Sequence, residues 1–328
     1  MQLFPEQKDR LEKIDVLEKI DVLLNRLAVE RDLDSHLDSY RVLHGRGHCF
    51  PNLDFVNIDF FQPVLLLTCY REPSENWLEG IISFLHDKLS AELTCVLVQR
   101  RYLPNAPSEV ILGELPDKVY SRRNQLLFHL HLAAQQNSGY FLDMEPGRLW
   151  LEQHAQGQRV LNLFAYTCAF SVVAIAAGAK LVVNVDMSRN ALNVGRSNHQ
   201  LNKLAKDSSE FIAENILKSW GRIRRRGPYD LVIIDPPSYQ PGSFVVEKDY
   251  AKVIRRLPEL MPLGGLVLAC LNAPEMDETY LQHLFQEHLP SARFVERLAP
   301  HANFPDVNPA QQLKLMVYKL SAEKNIQR

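Results

Sequence analysis

Three turns between Val160 and Pro237 carry side chains that could do chemistry. Asn162 lies within a short apolar run, Arg159 to Phe164, followed by AYTCAFS; Asp186 closes KLVVNVD; Asp235 closes YDLVIID and leads into Pro236 and Pro237. An acid or amide thus lies toward the carboxyl end of each apolar stretch of strand length, and in open α/β sheets that edge forms the binding crevice. Two prolines behind a strand-end acid fix a rigid, extended turn that exposes Asp235 and the neighbouring carbonyls. A fourth signal is GGLVLACLNAP, a glycine turn feeding a strand that ends at Cys270, Leu271 and Asn272. Cys270 is read both as a candidate nucleophile at the active edge and as a small core residue.

The first turn limits what the crevice can hold. Thr167, Cys168, Ala169 and Phe170 stand where a pyrophosphate-binding turn needs glycine for close backbone approach, so an ordinary dinucleotide is disfavoured. S-adenosylmethionine has no phosphates and does not need that approach. Its tail carboxylate would sit near the positive helix terminus at Phe170 and Ser171, with Asn162 close to its ammonium. Asp186 stands where an acid takes ribose hydroxyls in nucleotide folds, or caps the helix RNALNVGRSNHQLN, and the two roles are compatible. Asn215, after the short strand in EFIAENILKSW, reads either as an adenine-edge contact, with Phe211 or Ile216 over the ring, or as a plain turn residue. Gln136, Asp143 and Arg148 are polar residues in an otherwise apolar stretch, able to fold over a ligand or to remain solvated.

Elements must hold these residues in place. The pattern from Val160 reads strand, helix, strand, helix, strand, with the Ala-rich helix FSVVAIAAGA closed by Gly178. Upstream, Tyr40 to Arg123 reads as strands around one helix, SENWLEGIISFLHDKLS, capped by Ser74. His44, Arg46, His48 and Cys49 in RVLHGRGHCFP form a turn rather than a metal site, because no further Cys or His follows at ligand spacing. The repeat LEKIDVLEKIDV predicts an amphipathic helix from about Asp9 to Asp38. The expected organisation is an N-terminal helical segment, 1–39; a small α+β domain, 40–123; and a Rossmann-like domain, 124–328, with a mostly parallel seven-stranded sheet.

At 328 residues, 46% hydrophobic and a formal charge of −2, the chain can bury two cores and has no global positive field. Contact with nucleic acid must rest on local patches: GRIRRRG with Arg222, Arg224, Arg225 and Arg226, and the pairs Arg100–Arg101, Arg122–Arg123 and Arg255–Arg256. Five scattered cysteines without a CxxC pair predict a reducing cytoplasm and no metal. No secretory leader and no membrane span are expected.

NLFAYTCAFS, NVDMS with the later NHQLN, GYFLDM followed by Arg148, and DPPSY together resemble the class I S-adenosylmethionine-dependent methyltransferases related to the bacterial enzymes that make 5-methylcytosine or 7-methylguanine in 23S RNA. The resemblance runs from about Tyr40 to the carboxyl terminus. It implies cofactor contacts from Gln136, Phe141, Asp143 and Arg148 on one side. Asn162, Phe164, Tyr166, Thr167, Cys168, Ala169, Phe170 and Ser171 would form the floor. Asp186 with Met187 and Ser188 would take the ribose, Asn215 and Ile216 the adenine, and Asp235, Pro236 and Pro237 the methyl-transfer edge. The family usually has glycines where Cys168 and Ala169 stand. Its extra amino-terminal RNA-binding domain is not expected of the segment Met1 to Asp38.

Two mechanisms follow from the resemblance. Carbon 5 of cytosine needs a thiolate added at carbon 6, which assigns Cys270 as nucleophile and Asp235 as the group that steadies the base. A guanine ring nitrogen needs only alignment with the sulfonium methyl. The expected substrate is ribosomal RNA with its base flipped into the pocket, where Tyr239 or Phe244 would stack on it. A methyltransferase for a small molecule or protein, and a non-catalytic cofactor-binding protein, are the rival readings; a homodimer is a further expectation.

Overall fold

The computed structural model describes residue 21 and residues 38–89, 92–133 and 136–321; the helix expected from Asp9 to Asp38 lies essentially outside the described residues. Two compact units divide the chain. The first holds everything up to Leu142 and takes back Ala302–Val307; the second holds Asp143–His301 and the chain from Asn308.

In the first unit, β1 (Tyr40–His44), β2 (Val56–Phe61), β3 (Val64–Cys69), β4 (Cys95–Arg100) and β5 (Ser108–Gly113) form one sheet in that order, with β3 and β4 parallel and the other pairs antiparallel. A parallel pair requires a crossover. Helix α1 (Glu75–Leu89) provides it, and Ser74 Oγ caps it by accepting from Trp77 N at 3.3 Å. Ile81, Ile82, Leu85 and Leu89 recur at helical spacing and pack on the sheet with Val42, Ile58 and Leu67. Next, β6 (Val119–Arg123) and β7 (Leu126–Leu130) pair as a two-residue hairpin, with Asn124 at φ 51°. The expected boundary at residue 123 would cut this hairpin; the observed division falls after Leu142. A hydrophobic strand of five residues cannot bury its edge alone, and pairing with β6 keeps β7 in the first unit.

In the second unit, α2 (Glu145–His154) precedes β8 (Arg159–Leu163), α3 (Ala169–Ala176), β9 (Leu181–Asp186), α4 (Arg189–Leu201), β10 (Ser209–Ala213), α5 (Trp220–Arg224) and β11 (Leu231–Ile234). A short ribbon, β12 (Tyr239–Gln240) with β13 (Phe244–Val245), leads into α6 (Val246–Ile254) and α7 (Leu257–Leu260). The chain continues through β14 (Leu266–Leu271), α8 (Glu278–His288), β15 (Ala292–Arg297) and β16 (Lys314–Leu320). The sheet order is β10-β9-β8-β11-β14-β16-β15, with β16 antiparallel to both of its neighbours. This is the expected Rossmann-like, mostly parallel seven-stranded sheet beside a smaller α+β unit.

Period-two alternation divides its core into two layers. Leu161, Leu163, Val183, Val185, Val232 and Ile234 pack with α6 on one face, while Val160, Val182, Leu231, Ile233, Leu268 and Cys270 pack with α2 and α3 on the other. Strand order reverses beside β8: the chain builds outward through β9 and β10, then returns to lay β11 on the other side. That reversal opens a crevice at the carboxyl ends of β8 and β11.

Candidate active site

Parallel registers bring the strand ends together. Leu163 pairs with Val185 and with Ile234, and Ile234 with Ala269, so Phe164, Asp186, Asp235 and the residues after Cys270 share one sheet edge. The loop after β8 is unusual: Phe164 (φ 57°), Tyr166 (φ 46°) and Cys168 (φ 62°) all adopt left-handed conformations without being glycine. Each costs on the order of 1 kcal/mol or more, so the surroundings must enforce them. Ala165 N donates to Val185 O (3.1 Å), Tyr166 N to Asp186 Oδ2 (2.8 Å) and Cys168 N to Ala165 O (2.7 Å), while Thr167 O accepts from Asn198 Nδ2 (3.0 Å). The loop therefore holds a glycine-type path with side chains that glycine would lack. That geometry suits a nucleoside cofactor with an amino-acid tail.

Gly195 on α4 makes the loop possible. A Cβ there would lie 2.5 Å from Cys168 Sγ and 3.0 Å from its Cβ. Gly195→Ala is expected to destabilise the protein by about 1–3 kcal/mol, the usual cost of overpacking, and to weaken cofactor binding because the loop must move. Calorimetric titration with S-adenosylmethionine alongside urea unfolding checks this; an unchanged affinity would show that the loop does not contact the cofactor.

Asp186 ends β9 half-buried. Its Oδ2 takes the Tyr166 amide and its Oδ1 takes the Ser188 amide (2.7 Å), so it joins the first two loops. Burial raises its pKa, and the two amide bonds oppose the rise. The helix-capping role falls to Ser188, whose Oγ accepts from Ala191 N (3.2 Å). Each Asp186 oxygen keeps a second lone pair for a ribose hydroxyl. Met187 beside it is 42% exposed and presents apolar surface at the same edge. Asn215 caps the 3-10 turn Ile216–Lys218 through Oδ1, which accepts from Leu217 N (2.9 Å). Ile216 is a core residue packed with Ile212 and Ile223 and does not cover a ring.

Several of the residues expected to contact the cofactor have buried side chains that bond to one another. Asn162 is 1% exposed and Ser171 fully buried. The register aligns Asn162 with Asn184 on the face that meets α3. Asn162 Nδ2 donates to Asn184 Oδ1 (2.9 Å) and Asn184 Nδ2 to Ser171 Oγ (3.0 Å); Ser171 Oγ meets His199 Nε2 (2.9 Å), and His199 Nδ1 meets Gly195 O (2.7 Å). One Nδ2 bond of Asn162 and the whole reach of Asn184 are thus committed within the protein. Thr167, Cys168 and Phe170 are likewise buried, leaving Phe164, Tyr166 and Ala169 as the loop side chains open to the crevice. Asn184 and His199 stand within the NVDMS and NHQLN segments but have no role assigned from the sequence; the strand register and the helical spacing from Gly195 give them one.

Asp235 follows β11 and retains some surface. Burial, then the neighbouring Asp143, raises its pKa to about 7, with the Arg148 guanidinium pulling the other way. Arg148 is 2% exposed, 3.5 Å from Glu145 and 5.9 Å from the Phe170 ring centroid. Pro236 is buried and Pro237 exposed. Tyr250 Oη, fully buried, lies 3.1 Å from Cys270 O and 3.4 Å from Ile234 O, and so ties the carboxyl-terminal parts of β14 and β11 together. Ser238 Oγ donates to Asn272 O (2.5 Å), and buried Lys314 donates to Ala273 O (2.8 Å). The two loops that flank Asp235 are thus fixed.

Of the two readings of Cys270, its surroundings match the small core residue. It is fully buried in the layer with Trp150, Phe170 and Leu268, and burial raises its thiol pKa well above the usual value, with Asp235 adding to the rise. The strand runs one residue further, to Leu271, and Asn272 is the exposed residue at its end. Tyr239 is 67% exposed, while Phe244 packs edge-on against Phe164 in the core. In the GRIRRRG cluster, Arg222 pairs with Glu214, Arg226 with Glu210 and Arg224 with Glu259 (3.6 Å), which neutralises most of it. Gln136 and Phe141 lie in the first unit, both exposed, and Gln136 O accepts from Arg101. Among the described residues no cluster of His, Cys, Asp and Glu could hold a metal ion, and no helix is long and apolar enough to cross a membrane.

Ribosomal RNA large subunit methyltransferase I of Salmonella arizonae is 27% identical over 282 residues, covering 82% of this chain and 69% of the relative. A solved putative methyltransferase, SMU.776, complexed with SAH, superposes with a TM-score of 0.80 at 24% identity, covering 93% of this chain and 82% of that one. The tRNA m1G37 methyltransferase of M. jannaschii superposes with a TM-score of 0.59 at 16% identity, covering 81% and 75%. Residues 40–319 match the family model described as S-adenosylmethionine-dependent methyltransferase, so the chain belongs to that family, and S-adenosylmethionine is its cofactor.

Proposed function

We propose that this enzyme methylates a guanine ring nitrogen in ribosomal RNA, with Asp186 on the cofactor ribose, Met187 and Asn215 toward its adenine, and Asp235 at the methyl-transfer edge. The relative's name, a methyltransferase of large-subunit ribosomal RNA, supports the substrate class. One observation carries the choice of atom. Cytosine carbon 5 needs a thiolate, and Cys270 is enclosed in an apolar layer that holds it as a thiol. A ring nitrogen has its own lone pair. It attacks the methyl carbon in line, the carbon–sulfur bond breaks, and the sulfur keeps the electron pair as a neutral thioether. The methylated ring is left cationic, and the Asp235 carboxylate stabilises the charge as it develops. Asn272, exposed beside Asp235, supplies hydrogen bonds to the base edge, and Tyr239 supplies a face on which it stacks.

The expected homodimer belongs to the same reading. Its support is the edge strand β15, with Phe294 at 46% and Val295 at 50% exposure.

The test is nucleoside mass spectrometry on an unmethylated 23S ribosomal RNA transcript after incubation with enzyme and S-adenosylmethionine. 7-Methylguanosine is expected, and Cys270→Ala is expected to retain its formation within about three-fold while losing roughly 1 kcal/mol of stability to the small cavity. Production of 5-methylcytidine, or loss of all transfer in Cys270→Ala, would overturn the assignment.

A further inference from the structure

The first unit holds a cluster that the methyl-transfer reading does not use. One end of its sheet gathers the carboxyl ends of β1, β3 and β4 with the start of β2, because β3 and β4 are parallel and β2 runs against β3. Tyr70 follows β3 there. The Arg46 guanidinium lies 4.7 Å from the Tyr70 ring centroid, and that of Arg101 lies 5.8 Å from the same centroid. Among the described residues neither guanidinium has a carboxylate partner, whereas nearby Arg41 pairs with Asp59, Arg71 with Asp54 and Arg100 with Glu109.

Buried amides hold the group in place. Asn57, 5% exposed, accepts from Arg46 N (3.4 Å) and lies 3.5 Å from Tyr70 Oη. Gln99, 3% exposed, accepts from Arg101 Nε (2.9 Å). Two like charges converging on one ring without a counter-ion create a local positive potential. Burial first, then Arg41, Arg46 and His48, lower the pKa of nearby His44 to about 3. Arg46 and His48 are themselves exposed.

We infer that Arg46, Tyr70 and Arg101 form an RNA-docking site on the first unit, in which the two guanidiniums take phosphates of one strand and the tyrosine edge lies against the sugar or base between them. Unpaired cations interleaved with an aromatic ring are the donor set that a phosphate backbone with adjacent bases calls for. An acidic peptide would need the cations but would give the ring no partner. This site deepens the RNA reading above and rests on it. It also gives the chain, with its charge of −2, a local electrostatic foothold that the glutamate-paired GRIRRRG segment does not provide.

The test measures binding of an unmethylated 23S ribosomal RNA transcript by the full chain across 50–200 mM salt, for the wild type, Arg46→Ala, Arg101→Ala and Tyr70→Leu. Each arginine variant should weaken binding about three- to ten-fold and make the salt slope shallower by about one phosphate contact. Arg46→Ala should leave S-adenosylmethionine affinity unchanged; Arg101 also holds Gln136 O, so its cofactor affinity is not used as a control. Wild-type binding with a steep salt slope that survives in both arginine variants overturns this site and leaves the RNA reading standing. Absence of salt-dependent binding in the wild type overturns both. Equal weakening of poly-glutamate and RNA binding in the variants assigns the site to acidic peptides and overturns the RNA assignment.

Discussion

Asp235→Asn should abolish methyl transfer, by about 10²–10⁴-fold, and at the same time make the protein more stable above neutral pH. The two effects have one origin. In the unfolded chain the carboxyl titrates near 3.8; in the folded protein burial and Asp143 raise that to about 7. Between those values the native state binds a proton that the unfolded chain has lost, so stability falls as pH rises from about 4 to about 7 and stays lower beyond. A shift of this size has an upper bound of roughly 4 kcal/mol, which partial contact with water reduces to about 1–2 kcal/mol. Asparagine carries no charge at any pH and avoids this loss. Its melting temperature should exceed that of the wild type by roughly 3–6 °C at pH 8 and match it near pH 4. A melting difference that does not grow with pH would show that Asp235 is an ordinary solvated acid. Transfer retained within ten-fold would remove it from the chemistry. In the proposed reaction a cationic sulfonium beside Asp235 would favour the anion that folding alone disfavours.

The backbone of this site was legible because its signals are local. Apolar runs of strand length, an Ala-rich stretch before Gly178 and a double proline after Asp235 each act within a few residues, and the strands β8, β9, β11 and β14 lie where those signals place them. Side-chain roles were less legible because they depend on depth and on distant partners. Cys270 reads as a strand-end residue until β14 is seen to continue to Leu271, which turns the thiol into the apolar layer. Asn162 sits at the right strand for a ligand, yet the parallel register aligns it with Asn184 and spends its amide there. The arginines of GRIRRRG look like a nucleic-acid patch in the linear chain. Glu210, Glu214 and Glu259 reach them only after folding. Arg101 reads in sequence as half of a basic pair and Arg46 as part of a turn; among the described residues no acid reaches either guanidinium.

Asn184→Leu should be among the most destabilising single changes in the second unit, at about 2–4 kcal/mol, because Asn184 is fully buried and joins both halves of the polar chain. Leucine would strand Asn162 Nδ2 without an acceptor and remove the donor to Ser171 Oγ. The direction of that chain can be assigned: Gly195 O can only accept, so His199 Nδ1 carries the proton, Nε2 accepts, and Ser171 Oγ donates to it. Neutral histidine is therefore part of the native arrangement, in accord with burial lowering its pKa. Below pH 6.5 the unfolded chain gains a proton that folded His199 resists, so stability should fall as pH drops through that value. His199→Phe should lose stability at pH 8 yet show a flatter decline toward pH 5.5 than the wild type, with His44 and His129 still contributing in the same direction and Asp235 in the opposite one. A cycle of Asn162→Leu, Asn184→Leu and the double variant separates network from volume. If the amide bond is the cause, the double variant leaves neither amide of that pair unpartnered and should be less destabilised than the summed single variants by at least about 1 kcal/mol. Strict additivity in urea unfolding would mean that leucine is simply too bulky at both positions. A coupled result would identify the chain as what holds α3 and α4 against β8 and β9, and so what keeps the three left-handed residues of the cofactor loop in place.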